Sequence, residues 1–145
     1  MNVLAIGAHP DDVEIACSGT LAKCVKRGDK VIVCHASTGN LGHVVIPPDE
    51  LTKIRAEEAK KAGGLAGIEV IGGMFDDLNI FDGNKAARDK LVDVIKYAQP
   101  DFIITHNPDD YMPDHTAVSR LVFDASFAAT LPNYKSRYEK AAALV

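Results

Sequence analysis

Cysteine is scarce in this sequence: Cys17, Cys24 and Cys34 are the only three, with no CxxC pair. An odd count without paired spacing excludes a disulfide framework and predicts a reducing, cytoplasmic setting. No apolar run approaches the roughly 18 residues of a membrane span, which excludes a transmembrane class. The opening Met1-Asn2-Val3-Leu4 lacks a positively charged n-region, which predicts that no secretory signal is present. Basic charge is not in surplus: Lys+Arg 16 against Asp+Glu 20 leaves a net charge of −4, and the basic residues are scattered. That argues against nucleic acid or an anionic membrane surface as the main partner. The glycine signature GxGxxG is missing after the first strand, and so is a P-loop lysine, so dinucleotide and nucleoside triphosphate binding lose their main support.

What is present is the composition of an ordinary globular domain, with 47% hydrophobic and 25% charged residues over 145 positions. That length supports one core and predicts a single domain over residues 1–145. Short apolar runs alternate with helical patterns. Val3–Ile6, Val31–Cys34, Ile68–Ile71 and Phe102–Ile104 read as strands. Helices are expected over Asp11–Arg27, with Ile15, Leu21, Ala22 and Val25 near one face and Gly28 as its stop. Further helices are expected over Asp49–Ala62, ended by Gly63-Gly64, over Lys85–Ala98, closed by Pro100, and over Asp114–Phe127. Almost continuously apolar, β-branched strands are those buried on both faces. The order therefore predicts a Rossmann-like, doubly wound α/β domain with a mostly parallel sheet and helices on both sides. In such sheets ligands sit beyond the carboxyl ends of the strands, where strand order reverses. In the usual 3-2-1-4 order the residues just after Ile6 and just after Ile104 face each other across that crevice.

After Ile6 stand His9-Pro10-Asp11-Asp12, and after Ile104 stand His106, Asp109, Asp110, Tyr111, Met112, Asp114 and His115. A concentration of His and Asp at one crevice suits zinc, whose catalytic sites take three protein ligands and keep a fourth position open. Two readings stay open for single residues. Asp11 and Asp12 also suit capping of the following helix, and Asp114 also suits an N-cap. Asp76 and Asp77, after the third strand, fit either the crevice or a turn. Cys17 and Cys24, seven apart, read as small core residues. His35 and His43 have no carboxylate-rich neighbourhood in sequence and receive no assignment.

The segment Ala8-His9-Pro10-Asp11-Asp12 followed by Ser18-Gly19-Thr20-Leu21-Ala22 resembles the N-terminal signature of the LmbE-like, or PIG-L, zinc-dependent N-deacetylases. His106 to Val118, around Asp110-x-x-x-Asp114-His115, resembles their second signature. Ile54-Arg55-Ala56-Glu57-Glu58-Ala59 is similar to the family's Arg-x-x-Glu helix, and Thr38-Gly39-Asn40-Leu41-Gly42 to its glycine loop. The resemblance implies zinc bound by His9, Asp12 and His115, with Asp11 as general base. It implies removal of an acetyl group from an N-acetylglucosamine-type amide in a small N-acetylated sugar conjugate. Arg55 would contact substrate by that resemblance, whereas the residues alone favour a solvated helix face with Glu58 as surface partner. Asp114 would orient a histidine. Family resemblance also implies a homo-oligomer, a trimer or hexamer.

Two departures stand out. Where the family commonly carries a histidine three residues before the last ligand, this chain has Met112, which can neither donate a proton nor carry charge. Tyr111 or His106 is then the candidate substitute donor. The alternative function is a non-catalytic or weakly active metal- or sugar-binding member of the same fold. The chain is also shorter than the family usually runs, and Ala141–Val145 reads like the opening of a fifth strand, as in a truncated domain.

Overall fold

Apolar, β-branched runs become strands when neighbouring strands and helices can cover both of their faces. In the computed structural model, which describes residues 1–143, the Val3–Ile6 and Val31–Cys34 runs are buried central strands, and the Ile68–Ile71 and Phe102–Ile104 runs fall on partly exposed edge strands, with Ile68 just before its strand. The elements are β1 (Asn2–Gly7), α1 (Asp12–Arg27), β2 (Lys30–Ser37), α2 (Pro48–Ala66), β3 (Glu69–Phe75), α3 (Lys85–Ala98), β4 (Phe102–Ile104) and α4 (Pro113–Thr130). The strands form one parallel sheet in the order β3-β2-β1-β4, the expected doubly wound α/β arrangement. Val3 pairs with Phe102 and Ala5 with Ile104, so β1 and β4 end side by side at the switch point.

Alternation along the strands divides the core in two. Leu4, Ile6, Ile32 and Cys34 pack with Leu91, Ile95, Val118 and Leu121 of α3 and α4. Val3, Ala5, Val31 and Val33 pack with Val13, Leu21 and Cys24 of α1. Fully burying side chains of this kind stabilises by roughly 1.5–3 kcal/mol each, so these two layers fix the strand ends from which the crevice residues project. Among the described residues no helix is long and apolar enough to cross a membrane.

Two expectations about helices need correction. The buried face of α1 carries Val13, Leu21 and Cys24, whereas Ile15 is 84% exposed and Ala22 also faces out. Cys17 and Cys24 lie on the core side, where a period of 3.6 from Val13 leads. Helix α2 does not stop at Gly63-Gly64 but runs to Ala66 and is closed by Gly67 in the left-handed conformation. Gly63 is a contact residue: a Cβ there would lie 2.3 Å from Val70 Cγ2 and 2.8 Å from the Ile68 carbonyl oxygen. The fifth-strand opening expected at Ala141–Val145 lies partly outside the described residues. Residues 141–143 form no strand, and the Ala142 N–H donates to the Ala129 carbonyl at 2.9 Å.

Candidate metal centre

The turn between β1 and α1 is short, and its hydrogen bonds fix where each side chain points. The Asp11 and Asp12 amides both donate to the His9 carbonyl, at 2.9 and 3.3 Å. The Asp12 carboxylate folds back to accept the His9 N–H at 2.7 Å. Asp11 occupies the N-cap position but makes no side-chain cap, so capping does not account for it. Across the switch point, Thr105 Oγ1 donates to the Ile6 carbonyl at 2.9 Å. The Ala8 N–H donates to His106 Nε2 at 2.9 Å. Helix α4 then begins at Pro113 and presents Asp114 and His115 from its first turn, both buried.

These elements bring together His9, Asp12 and His115, whose ligand-capable atoms all lie within 4.8 Å of one another. His9 Nδ1 is 3.4 Å from Asp12 Oδ2, and His115 Nε2 is 3.3 Å from Asp12 Oδ1. The far nitrogen of each ring is held by a second carboxylate. His9 Nε2 donates to Asp114 Oδ2 at 3.0 Å, and His115 Nδ1 donates to Asp110 Oδ1 at 3.2 Å. Those bonds select the tautomers that leave His9 Nδ1 and His115 Nε2 as lone-pair donors facing Asp12. His115 Nε2 is buried and has no hydrogen-bond partner. Two electron-rich nitrogens and an ionised carboxylate turned toward one point fit a cation between them, and the His and carboxylate donor set suits zinc.

Without an ion, the same cluster draws a proton to His9 instead. Burial works against charge at His9, yet Asp12 and Asp114 outweigh it and push the ring up to about 9. Burial also opposes ionisation of Asp12, but His106, His9 and the His9 N–H hold its carboxyl well below the usual range. His106 stacks on His115, with centroids 4.0 Å apart and planes at 11°, and its Nε2 is 3.2 Å from Asp12 Oδ2. His106, Asp110 and His115 form a second, overlapping group with ligand geometry.

Asp11 stands apart from this cluster. Its half-exposed carboxylate lies 3.0 Å from Arg55 Nη2, and Arg55 also donates to the Pro10 carbonyl and to Glu58. Arg55 thus makes the expected Glu58 surface pair and also reaches the crevice. Met112, half-buried at the N-cap of α4, and Tyr111, 91% exposed, line the same cavity of about 690 Å³ as His9, Asp11, Asp12, Arg55 and His115. The Tyr111 ring meets His115 edge-on at 6.1 Å.

Asp110 and Asp77 are the residues that sequence reasoning left without a definite role. Asp110 lies in a loop, where spacing carries no periodicity to reveal its partner. Asp77 accepts the Gly39 and Leu41 amides at 2.9 and 3.0 Å, which anchors the glycine loop to the end of β3. The next residue, Leu78, takes a left-handed backbone (φ 59°), and its N–H donates to Asp114 at 2.8 Å. Of the two unassigned histidines, His35 is buried against Glu14 at 3.1 Å, and His43 Nδ1 accepts the Val45 and Ile46 amides of its own turn.

Known proteins resemble this chain in sequence and fold. The chain is 31% identical to the 1D-myo-inositol 2-acetamido-2-deoxy-alpha-D-glucopyranoside deacetylase of Corynebacterium diphtheriae, over 77% of this chain and 47% of that protein. It superposes on the 4-carboxy-2-hydroxymuconate hydratase of Pseudomonas putida with a TM-score of 0.86 at 26% identity, covering 99% of this chain and 62% of the other. The N,N'-diacetylchitobiose deacetylase of Pyrococcus horikoshii gives a TM-score of 0.84 at 27% identity, covering 91% and 51%. The chain spans about half the length of the curated relatives it matches. Residues 4–126, which carry both crevice segments and the sheet that joins them, match the family described as PIG-L, GlcNAc-PI de-N-acetylase, and this chain belongs to that family.

Proposed function

We propose that the protein is a zinc-dependent hydrolase that removes the acetyl group of an N-acetylglucosamine-type amide. The observation that carries this reading is the convergence of His9, Asp12 and His115 with a buried, unpartnered His115 Nε2. His9 Nδ1, an Asp12 oxygen and His115 Nε2 would hold the ion. When bound, zinc supplies Lewis acidity that acidifies water and polarises a carbonyl. Asp11 faces the same cavity without being tied up in capping, and it takes the proton of the attacking water. As the amide C–N bond breaks, Asp11 returns that proton to the departing nitrogen, leaving acetate and a free amine. Arg55 keeps the Asp11 carboxylate turned toward the cavity. Tyr111, Met112 and His106 border the reacting groups, with Tyr111 and His106 the available hydrogen-bond donors where Met112 offers none.

The deacetylase relatives of Corynebacterium diphtheriae and Pyrococcus horikoshii support the amide reading. The likeness to a Pseudomonas putida hydratase favours a second reading, addition of water to an unsaturated carboxylate at the same centre. A cytoplasmic location is supported by the absence of any disulfide among Cys17, Cys24 and Cys34. A homo-oligomer, trimer or hexamer, follows from family resemblance.

The test combines metal content with acetate release across a panel of N-acetylglucosaminides. About one zinc per chain is expected, with most of it lost in His115→Ala. Asp11→Asn should keep the metal and lose acetate release, because an amide cannot accept the proton. Wild-type turnover in metal-loaded Asp11→Asn removes Asp11 from the mechanism. Metal binding with water addition but no acetate release selects the hydratase reading, and metal binding with neither activity leaves a non-catalytic binding protein.

A further inference from the structure

The cavity around the metal centre has an apolar rim. The loop between β2 and α2 is pinned to the end of β3. Besides the Asp77 contacts to Gly39 and Leu41, the Asn40 side chain donates to Asp76 and accepts the Asp77 N–H, both at 3.0 Å. This fixed backbone holds Leu41 over the cavity, and Ile46 lines the same wall. Ile15 from α1, Leu78 after β3 and Tyr111 from the loop before α4 complete the rim, and with Leu41 each is more than half exposed. A lone exposed apolar residue needs no explanation, but several from four separate segments around one cavity mark a surface kept for an apolar ligand. The charges of the wall point the same way. Among the described residues, four carboxylates line the cavity, Asp11, Asp12, Glu58 and Asp77, against one guanidinium and no lysine. That guanidinium, Arg55, is already shared by Asp11 and Glu58, at 3.0 Å each. Away from the metal ligands, no lysine or arginine is left to pair a carboxylate or phosphate on a substrate, and enclosing an unpaired charge is costly.

We propose that the substrate is an N-acetylglucosaminide with an uncharged, apolar aglycone, which lies on Leu41, Ile46, Ile15 and Tyr111. This rests on the hydrolase reading and narrows it. The acetamide lies at the buried end, against His9, Asp12 and His115, and the glycosidic substituent leads outward to the exposed side chains. A cavity of about 690 Å³ is in the range that encloses a drug-sized ligand, so sugar and aglycone fit in it together. Because the loop is pinned before binding, little ordering cost offsets the gain from covering its apolar side chains. An acidic aglycone of the same length covers the same surface but meets carboxylates, so charge supplies the discrimination.

The experiment compares methyl, hexyl and 5-carboxypentyl N-acetylglucosaminides at about pH 8, where the carboxylate is ionised. Binding to the metal-free full-length protein is measured by titration calorimetry at several temperatures, and acetate release is measured with the zinc-loaded protein. The hexyl glycoside should bind about tenfold or more tighter than the methyl one, the worth of roughly two buried methylenes, with a more negative heat-capacity change. Its kcat/KM for acetate release should be higher by a similar factor. The 5-carboxypentyl glycoside should bind about tenfold more weakly than the hexyl one. In Leu41→Ser combined with Ile46→Ser the hexyl-to-methyl ratio should fall toward one in both measurements, and Leu41→Met with Ile46→Val should keep most of it. A ratio taken within each protein is unaffected by partial loss of fold or metal. Equal binding of hexyl and methyl glycosides, 5-carboxypentyl binding as tight as hexyl, an unchanged ratio in the serine variant, or no saturable binding of any of the three overturns the proposal. Preferential hexyl binding without acetate release from any of the three upholds the aglycone assignment and overturns the hydrolase reading instead.

Discussion

Replacing Asp114 with asparagine tests whether the metal centre is organised by the carboxylates behind its histidines. Asp114 is 1% exposed, and its Oδ2 accepts two N–H groups, His9 Nε2 at 3.0 Å and Leu78 N at 2.8 Å. In Asp114→Asn the amide oxygen can keep both contacts, so the loss is the charge. A hydrogen bond to a charged group contributes about 1.5–3 kcal/mol and a neutral one about 1 kcal/mol. The difference for the His9 bond is then about 1 kcal/mol, roughly fivefold in metal affinity and just below the 10–100-fold typical of such outer carboxylates. Asp114→Leu leaves both N–H groups buried without an acceptor and should cost about 2–6 kcal/mol of stability as well. Asp110 does the same task for His115 from a more exposed position, its side chain 21% accessible, so Asp110→Asn should lower metal affinity less. The assay is competition with a chromophoric chelator, paired with urea unfolding of the metal-free proteins. Wild-type metal affinity in Asp114→Asn, or a larger loss in Asp110→Asn, refutes the ranking and the tautomer argument behind it.

Other expectations are equally direct. Met112→His, compared at equal zinc occupancy, should raise acetate release by about tenfold or more if an oxyanion donor is lacking; an unchanged rate shows that Tyr111 or His106 already supplies it. In chelator, thermal melting should follow the titration of the centre. The proton on His9 stabilises the fold below its ordinary value of 6.5, and that contribution is lost as pH rises through about 9. The lowered carboxyl of Asp12 stabilises above its ordinary 3.8 and is lost as pH falls below it, so melting temperature should peak between these limits; a peak above pH 9 contradicts the assignment. Gly63→Ala should destabilise by about 1–3 kcal/mol despite alanine's better helix propensity, because its Cβ would meet Val70 and Ile68. Gly64→Ala, with nothing within 4 Å, should stabilise by up to about 1 kcal/mol, and equal effects at the two sites in urea unfolding refute the contact argument.

The strand-helix alternation, the parallel sheet and the β1–β4 switch point were legible in the chain because they depend on local burial patterns. A run such as Val31–Cys34 has few options other than an interior strand, and alternating with helices it permits few topologies. The meeting of His9 and Asp12 with His106 and His115 across about a hundred residues follows from that topology alone, since both segments leave adjacent strand ends. Pairings finer than this depend on helix rotation and loop path, which no periodicity encodes. That Asp114 serves His9 while Asp110 serves His115 depends on how the loop after β4 climbs into α4. Gly63 looked like a helix stop because glycine ends helices in isolation, yet a strand pressed against α2 leaves no room for a Cβ there. Ile15 looked like a core residue because it is apolar, but the rotation of α1 set by Val13, Leu21 and Cys24 turns it outward. The apolar rim of the crevice is the extreme case: Ile15, Leu41 and Tyr111 come from three separate segments, and only the packed chain sets them around one cavity.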